Sequence, residues 1–301
     1  MKLTIVIPVY RTEATLDRCL QSVVGQTYTD LEVILVDDGS PDDCPQMCDR
    51  WAARDGRISV IHQPNGGLSA ARTAGISAAR GELITFVDSD DFLATDTYAQ
   101  VMPTAERHDI TEFPALCFYG SPRARRLTFA PQVVTDREHY WLKMQAYRHT
   151  YAWNKIYRRR LFDEVRFPEG RVFEDVFTLP LLLQRAQSVA TTDRGLYYYC
   201  LNPHGITSRA RGKELEDLLE AHLAAMRHWC DDAYYLHVLN TQMDVCEHTG
   251  KAPVLPPRTV SPLAGGISGR QRMKALALNL LGIERLCKLN KTIHRWIKPR
   301  S

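Results

Sequence analysis

Two acidic clusters hold residue types whose spacing can do chemistry. In Asp88-Ser89-Asp90, followed by Asp91, two carboxylates stand two residues apart behind the apolar run 83–87. At a strand end both can turn toward one ligand. Their hard oxygen donors suit Mg²⁺ or Mn²⁺, ions that take few carboxylates and complete their shell with substrate phosphates. Acids at this spacing also cap a following helix; the apolar strand before them and a companion cluster favour the metal. That companion is Asp37-Asp38-Gly39-Ser40. Gly39 permits a tight turn, and the carboxylates can accept hydrogen bonds from a base or a ribose.

Two further segments carry charge at helix starts. Asn65-Gly66-Gly67-Leu68-Ser69-Ala70-Ala71-Arg72 opens a helix with glycines whose free N–H groups can face an anion, and Arg72 lies one turn in. The plainer alternative is a glycine turn with an exposed arginine. Glu174-Asp175 begins a helical run, where acids also simply stabilise a helix N-terminus.

These residues need a scaffold, and the first hundred residues alternate clearly. Apolar runs at 3–8, 31–36, 58–62 and 83–87 lack polar alternation, as strands buried on both faces do. Residues 12–24 and 68–79 have helical spacing between them. The order predicts a doubly wound α/β sheet, and in such sheets ligands bind outside the carboxyl ends of the strands. Both acidic clusters fall on that edge. The first βα turn, Val9-Tyr10-Arg11-Thr12-Glu13, has no Gly-x-Gly-x-x-Gly, which counts against NAD(P). Beyond residue 110 the pattern is mixed. A helix at 174–184 carries Pro180 as a kink; strands follow at 189–192 and 196–201, and residues 214–247 are mostly helical. The Gly/Pro-rich stretch 250–269 reads as a linker, and residues 270–298 as a basic amphipathic helix interrupted at Gly282.

Composition narrows the class. The 301 residues are 45% hydrophobic and 24% charged, as in a soluble globular protein. The net charge of +3 is too mild for a nucleic-acid binder, but it is unevenly spread: residues 270–301 carry +8, and the rest −5. No apolar stretch approaches the roughly 20 residues a bilayer span needs. The N-terminal run is short and broken by Pro8, a poor signal peptide. Eight scattered cysteines, with only Cys44 and Cys48 close together, suit a reduced, cytoplasmic protein.

Taken in order, the segments resemble the family-2 glycosyltransferases, which have the GT-A fold. Thr4-Ile5-Val6-Ile7-Pro8-Val9-Tyr10 is similar to the family's opening strand, with Arg11 where the family usually has Asn. Ser22-Val23-Val24-Gly25-Gln26-Thr27-Tyr28, Val36-Asp37-Asp38-Gly39-Ser40, the segment from Asn65 to Ile76, and Gly81 through Asp91 follow in family order. Trp153-Asn154-Lys155-Ile156-Tyr157-Arg158, Phe167-Pro168-Glu169-Gly170 and Phe173-Glu174-Asp175 resemble the acceptor-side half.

The resemblance implies a mixed, mainly parallel sheet flanked by helices over residues 1–210. Beyond it come a helical extension at 211–249, the linker at 250–269 and the basic tail at 270–301. It implies that Asp38 binds the nucleobase, commonly uracil, with Pro8 and Val9 lining the pocket. It further implies that Asp90 coordinates a divalent ion, that Asp88 holds the ribose or assists, and that Ser89 and Arg72 lie near the nucleotide. Asp175 is then the general base, with Glu174 beside it. His204, in Asn202-Pro203-His204, can reach the metal or the diphosphate, or be a solvated loop histidine. Trp153, Asn154 and Lys155 can shape an acceptor pocket, since an aromatic face stacks on a sugar; Trp153 can equally be core.

The chemistry agrees. A departing nucleoside diphosphate concentrates negative charge that a divalent ion offsets. An acceptor hydroxyl needs a carboxylate to take its proton. One base opposite the leaving group gives inversion, whereas a glycosidase uses two carboxylates and water. The expected partners are a nucleotide-sugar donor and a saccharide or lipid-linked acceptor in surface polysaccharide or lipopolysaccharide assembly. In the tail, leucines interleave with Arg285, Lys288, Lys291, Arg295 and Lys298. That pattern suits an anionic membrane surface on the inner face of the cytoplasmic membrane, or a helix packed on the body. A catalytically inactive sugar-nucleotide sensor would lack the acids present here. A haloacid-dehalogenase-like phosphatase would carry its nucleophile on the first strand, which has no acid.

Overall fold

Every residue of β1 (Leu3–Val9) and of β2 (Leu31–Asp37) is buried, as strands covered on both faces require. The structure, a computed structural model, describes residues 1–202, 205 and 210–297. It contains β3 (Ile58–His62), β4 (Leu83–Phe86), β5 (Phe92–Leu93), β6 (Ile110–Glu112), β7 (Ala115–Tyr119) and β8 (Arg125–Leu127). Then come β9 (Gln132–Val134), β10 (Lys155–Arg158), β11 (Val189–Thr191) and β12 (Tyr197–Cys200). One eight-stranded sheet runs β3-β2-β1-β4-β10-β6-β11-β9, and a four-stranded sheet runs β5-β12-β7-β8. β1 pairs in parallel with β2 and β4, and β2 with β3. β10 inserts antiparallel between β4 and β6, which makes the sheet mixed, with the β3-β2-β1-β4 half all parallel.

The helices α1 (Leu16–Val24), α2 (Cys44–Arg54) and α3 (Leu68–Ala78) connect the parallel strands. α1 starts later than its apolar spacing predicts. Thr12 and Thr15 donate their hydroxyls to Ser89 Oγ at 3.0 Å and to the Ser89 carbonyl at 3.1 Å, so the chain before Leu16 is held by tertiary contacts. α3 lies close on β1 because Gly75 has no side chain; a Cβ there would meet Val6 Cγ1 at 2.2 Å. α4 (Thr97–Ala105) follows β5. Where β10 meets β6, Lys155 pairs with Glu112 at 2.8 Å with both side chains fully buried. Removing one partner of such a pair leaves an uncompensated charge and costs about 3–5 kcal/mol.

The chain divides into two compact units. The first holds all the strands above, from residues 1–137, 151–170 and 178–203; the second takes residues 138–150, 171–177 and the described residues beyond 204. α5 (Glu174–Arg185) continues through Pro180 without ending. The second unit is helical, with α6 (Lys213–Met226), α7 (Asp232–Thr249) and α8 (Gly269–Ile297). Asp231 caps α7 by accepting the Tyr234 N–H at 2.9 Å, and the stretch 214–247 expected to be mostly helical is two helices. The Gly/Pro-rich stretch read as a linker is packed. Gln242 Oε1 accepts the N–H groups of Val254 and Leu255 at 2.8 and 2.9 Å, and Leu255, Val260 and Ile267 are buried.

Inside this unit His222 and His237 sit edge to face with ring centroids 5.1 Å apart. Burial, then His237, hold His222 down at about 3; burial, then Arg148, hold His237 down at about 4. An unfolded chain takes up both protons near pH ~6.5. Between there and about pH 4 the unfolded state binds more protons, so stability falls as pH falls. The expected slope is on the order of 1.4 kcal/mol per group per pH unit. Thermal melts followed through Trp141 and Trp229 should show this fall, and a level melting temperature across the window contradicts it.

Candidate active site

The strand ends bring the first acidic cluster and the glycine turn together. Val9 accepts the Asp38 N–H at 3.0 Å, in register with the paired ends of β1 and β2, where Pro8 lies beside Val36. Asp38 is buried. Its Oδ1 accepts from Gln63 Nε2 at 2.7 Å and from the Gly66 N–H at 2.9 Å; its Oδ2 accepts from the Gly67 N–H at 2.7 Å. The carboxylate therefore fixes the turn that starts α3, at a glycine (φ 85°) whose backbone other residues rarely adopt. Asp37 accepts from the Ser40 N–H at 3.0 Å and lies 2.8 Å from His62 Nδ1. That contact, with Asp49, raises the His62 pKa.

α3 then carries Arg72 inward. Its guanidinium lies over the rings of Phe86 and Phe167 at 5.7 and 5.3 Å and pairs with Asp88 Oδ1 at 2.9 Å. So Arg72 is a buried ion-pair partner of the second acidic cluster, not an exposed arginine.

Within that cluster the acids divide by environment. Asp91 is fully buried and turned inward, accepting from Tyr197 Oη at 2.8 Å and from the Cys200 N–H at 2.7 Å. The same Tyr197 oxygen accepts the Asp88 N–H at 3.1 Å, so one phenol ties both ends of the loop. Asp88 and Asp90 remain partly exposed. Asp90 Oδ2 accepts from Asn202 Nδ2 at 2.8 Å, and its carbonyl accepts from Arg18 Nη2 at 2.6 Å. Burial, then the Asp88 charge, push the Asp90 pKa up; burial, then Asp90 and Asp88, push Asp91 well up. Three carboxylates within four residues thus repel one another, and Arg72 pairs with Asp88. Among the described residues no group of three or more His, Cys, Asp or Glu converges on one point. Two partly exposed aspartates nevertheless fit a hard divalent ion that takes its other ligands from phosphate and water.

Glu174 and Asp175 open α5 directly after Phe173, which has φ 57°. Glu174 is buried, and Asp175 Oδ1 accepts the Val176 N–H at 2.8 Å. Trp153 is buried and stacks on Tyr197 at 4.4 Å and Tyr151 at 4.6 Å. Asn154 and Lys155 are fully buried; Asn154 donates to the Phe113 carbonyl at 3.1 Å, and Lys155 Nζ to the Tyr151 carbonyl at 3.0 Å. All three lie in the interior of the first unit. His204 lies outside the described residues. A cavity of about 650 Å³ is found in the helical unit, among Lys143, Asp231, Asp232 and Arg258. There Lys143 pairs with Asp231 at 3.0 Å and Arg258 with Asp232 at 2.9 Å, so its charges are already matched.

The model of the family described as "Glycosyl transferase family 2" matches residues 4–166, from β1 through both acidic loops to β10 and beyond. The chain belongs to glycosyl transferase family 2. This glycosyltransferase is 34% identical over 246 residues to the uncharacterized glycosyltransferase EpsJ of Bacillus subtilis, covering 75% of this chain and 70% of EpsJ. Its fold is that of S. aureus TarS 1-349, solved with UDP-GlcNAc. The TM-score is 0.70 at 17% identity, over 100% of this chain and 93% of that one. It also resembles the mannosyltransferase PcManGT from Pyrobaculum calidifontis, solved with GDP-Man and Mn²⁺. Here the TM-score is 0.58 at 15% identity, over 98% and 84% of the two chains. The expected GT-A architecture with a helical C-terminal region is therefore correct.

Several residues around this glycosyltransferase's acidic loops escaped sequence reasoning. Tyr197, Asn202, Thr12, Thr15 and Arg18 all touch the 88–91 loop. Asn202, two residues before His204, was the one with a sequence signal. Tyr197 looked like any aromatic in a strand.

Proposed function

We propose that this glycosyltransferase moves a sugar, with inversion, from a nucleoside-diphosphate donor, a UDP-sugar, to a hydroxyl of a saccharide or lipid-linked acceptor. The setting in this reading is surface polysaccharide or lipopolysaccharide assembly, at the inner face of the cytoplasmic membrane. The observation that carries it is the division of the 88–91 loop. Asp91 is locked inward, while Asp88 and Asp90 stay partly exposed beside a buried arginine. The nucleotide sugars in the TarS and PcManGT structures, which share the fold, support the donor class.

In this reading Asp90, with Asp88 and His204, would hold Mg²⁺ or Mn²⁺. Such an ion offsets the charge that develops on the departing diphosphate. Asp38 receives an N–H of the base on a lone pair that the glycine turn leaves, since a carboxylate offers about four. Pro8 and Val9 form the wall beside it. Arg72 holds Asp88 in place and adds positive charge behind the diphosphate, and Ser89 fixes the loop between the two acids. Asp175 takes the acceptor hydroxyl proton, with Glu174 adjacent. Trp153, Asn154 and Lys155 support the acceptor side from the interior.

A panel of nucleotide sugars incubated with the full chain, Mn²⁺ and candidate acceptors tests the reading. Release of the nucleoside diphosphate from one donor, with a product anomer opposite to the donor's by NMR, is expected. A product that retains the donor's anomeric configuration contradicts it.

A further inference from the structure

The C-terminal helix α8 presents two apolar faces, only one of which packs on other described residues. Ala275, Leu278, Ile283, Leu286 and Cys287 are buried. Contacts to α7 hold this side: Lys274 Nζ donates to Asn240, and Asn290 Nδ2 to Glu247 at 3.4 Å. Met273, Leu276 and Leu280 are 67%, 44% and 81% exposed. Their i, i+3, i+7 spacing aligns them in one stripe, on the side away from Ala275 and Leu278. Leu263, 83% exposed, precedes the helix on a segment tied to it: Asn279 donates to the Val260 carbonyl at 2.8 Å and accepts its N–H at 3.1 Å. Among the described residues, eight of the fourteen large apolar side chains left exposed fall between Val254 and Ile293.

The charges beside the stripe identify what covers it. Arg270 and Arg272 flank it on the helix, and beyond the break at Gly282 (φ 72°) the second segment exposes Arg285 and Lys288. Glu284 is the one acid of residues 270–301, against nine Lys and Arg. A second copy of this face would meet it with like charge. No helix among the described residues is long and apolar enough to cross a membrane. A helix with one packed face, one exposed apolar face and cationic flanks is built to lie in a lipid interface.

We propose that α8 docks this protein on an anionic lipid bilayer, with Met273, Leu276 and Leu280 entering the headgroup boundary and Arg270, Arg272, Arg285 and Lys288 facing the lipid charge. This deepens the membrane part of the proposed function, and it stands apart from the chemistry at Asp90, because vesicle binding needs no turnover. The test is flotation of the full chain with phosphatidylcholine vesicles, with and without phosphatidylglycerol. The wild type should partition onto the anionic vesicles roughly tenfold better, an advantage that salt diminishes. The variant Met273→Ser/Leu276→Ser/Leu280→Ser leaves the charge and the packed face intact. It should lose roughly tenfold or more in partitioning at an unchanged melting temperature. Arg270→Gln/Arg272→Gln/Arg285→Gln/Lys288→Gln should abolish the preference for phosphatidylglycerol. Equal vesicle binding by the serine variant, equal binding to both vesicle types, or a wild-type dimer that the serine variant dissolves without vesicle binding by either would each overturn the proposal.

Discussion

Replacing Asp90 with asparagine is expected to reduce sugar transfer at least about a thousandfold, roughly 4 kcal/mol of barrier, without lowering the melting temperature. The amide keeps the shape of the carboxylate, and its oxygen can still accept from Asn202 Nδ2. What it loses is the negative charge proposed to hold a divalent ion. Stability should hold or rise, because Asp88, Asp90 and Asp91 crowd one loop and Arg72 pairs with Asp88. Asp91→Asn gives the contrasting pattern. Its carboxylate accepts from Tyr197 and from the Cys200 N–H, so that change lowers stability along with activity. If Asp90→Asn transfers sugar at the wild-type rate, the metal assignment fails.

Asp175→Asn is the second large effect, with transfer expected to fall about 10²–10⁴-fold. Asp175 is proposed for proton transfer and not for donor binding, so nucleotide-sugar affinity should stay as in the wild type while turnover collapses. Its Oδ1 accepts the Val176 N–H, a contact the asparagine oxygen can keep. Glu174→Gln separates the neighbours. Glu174 is buried, so its loss should show first in stability rather than in turnover. A variant at Asp175 that turns over normally, beside one at Glu174 that does not, would transfer the base role to Glu174.

The parallel half of the sheet was legible because each strand there is an unbroken apolar run, and its ends fell within a residue or two of the observed ones. The start of α1 was not, because its position depends on hydroxyl bonds from Thr12 and Thr15 to Ser89, more than seventy residues away. The Asp88 and Asp90 pair could be read from spacing and context. Which of the three acids turns inward could not be read, since the partners of Asp91 come from β12. Arg72 was found by motif, but its ion pair with Asp88 needed α3 and β4 side by side. Lys155 illustrates a different limit. A lysine beside a tryptophan suggested an acceptor pocket, whereas the register of β10 on β6 sets it on Glu112 in the interior. Composition misled at residues 250–269, where glycine and proline suggested a tether; two amide side chains, Gln242 and Asn279, pin that segment down.

The central claim is that the loop from Asp88 to Asp91 binds a nucleotide-sugar diphosphate together with a divalent ion. Calorimetric titration of UDP and of the donor found by the panel into the full chain tests it most directly, with Mn²⁺ present and then with the ion chelated. Tight binding with Mn²⁺ is expected, weakened at least roughly tenfold by chelation and to the same degree by Asp90→Asn. Binding that is indifferent both to the ion and to Asp90 would contradict the account.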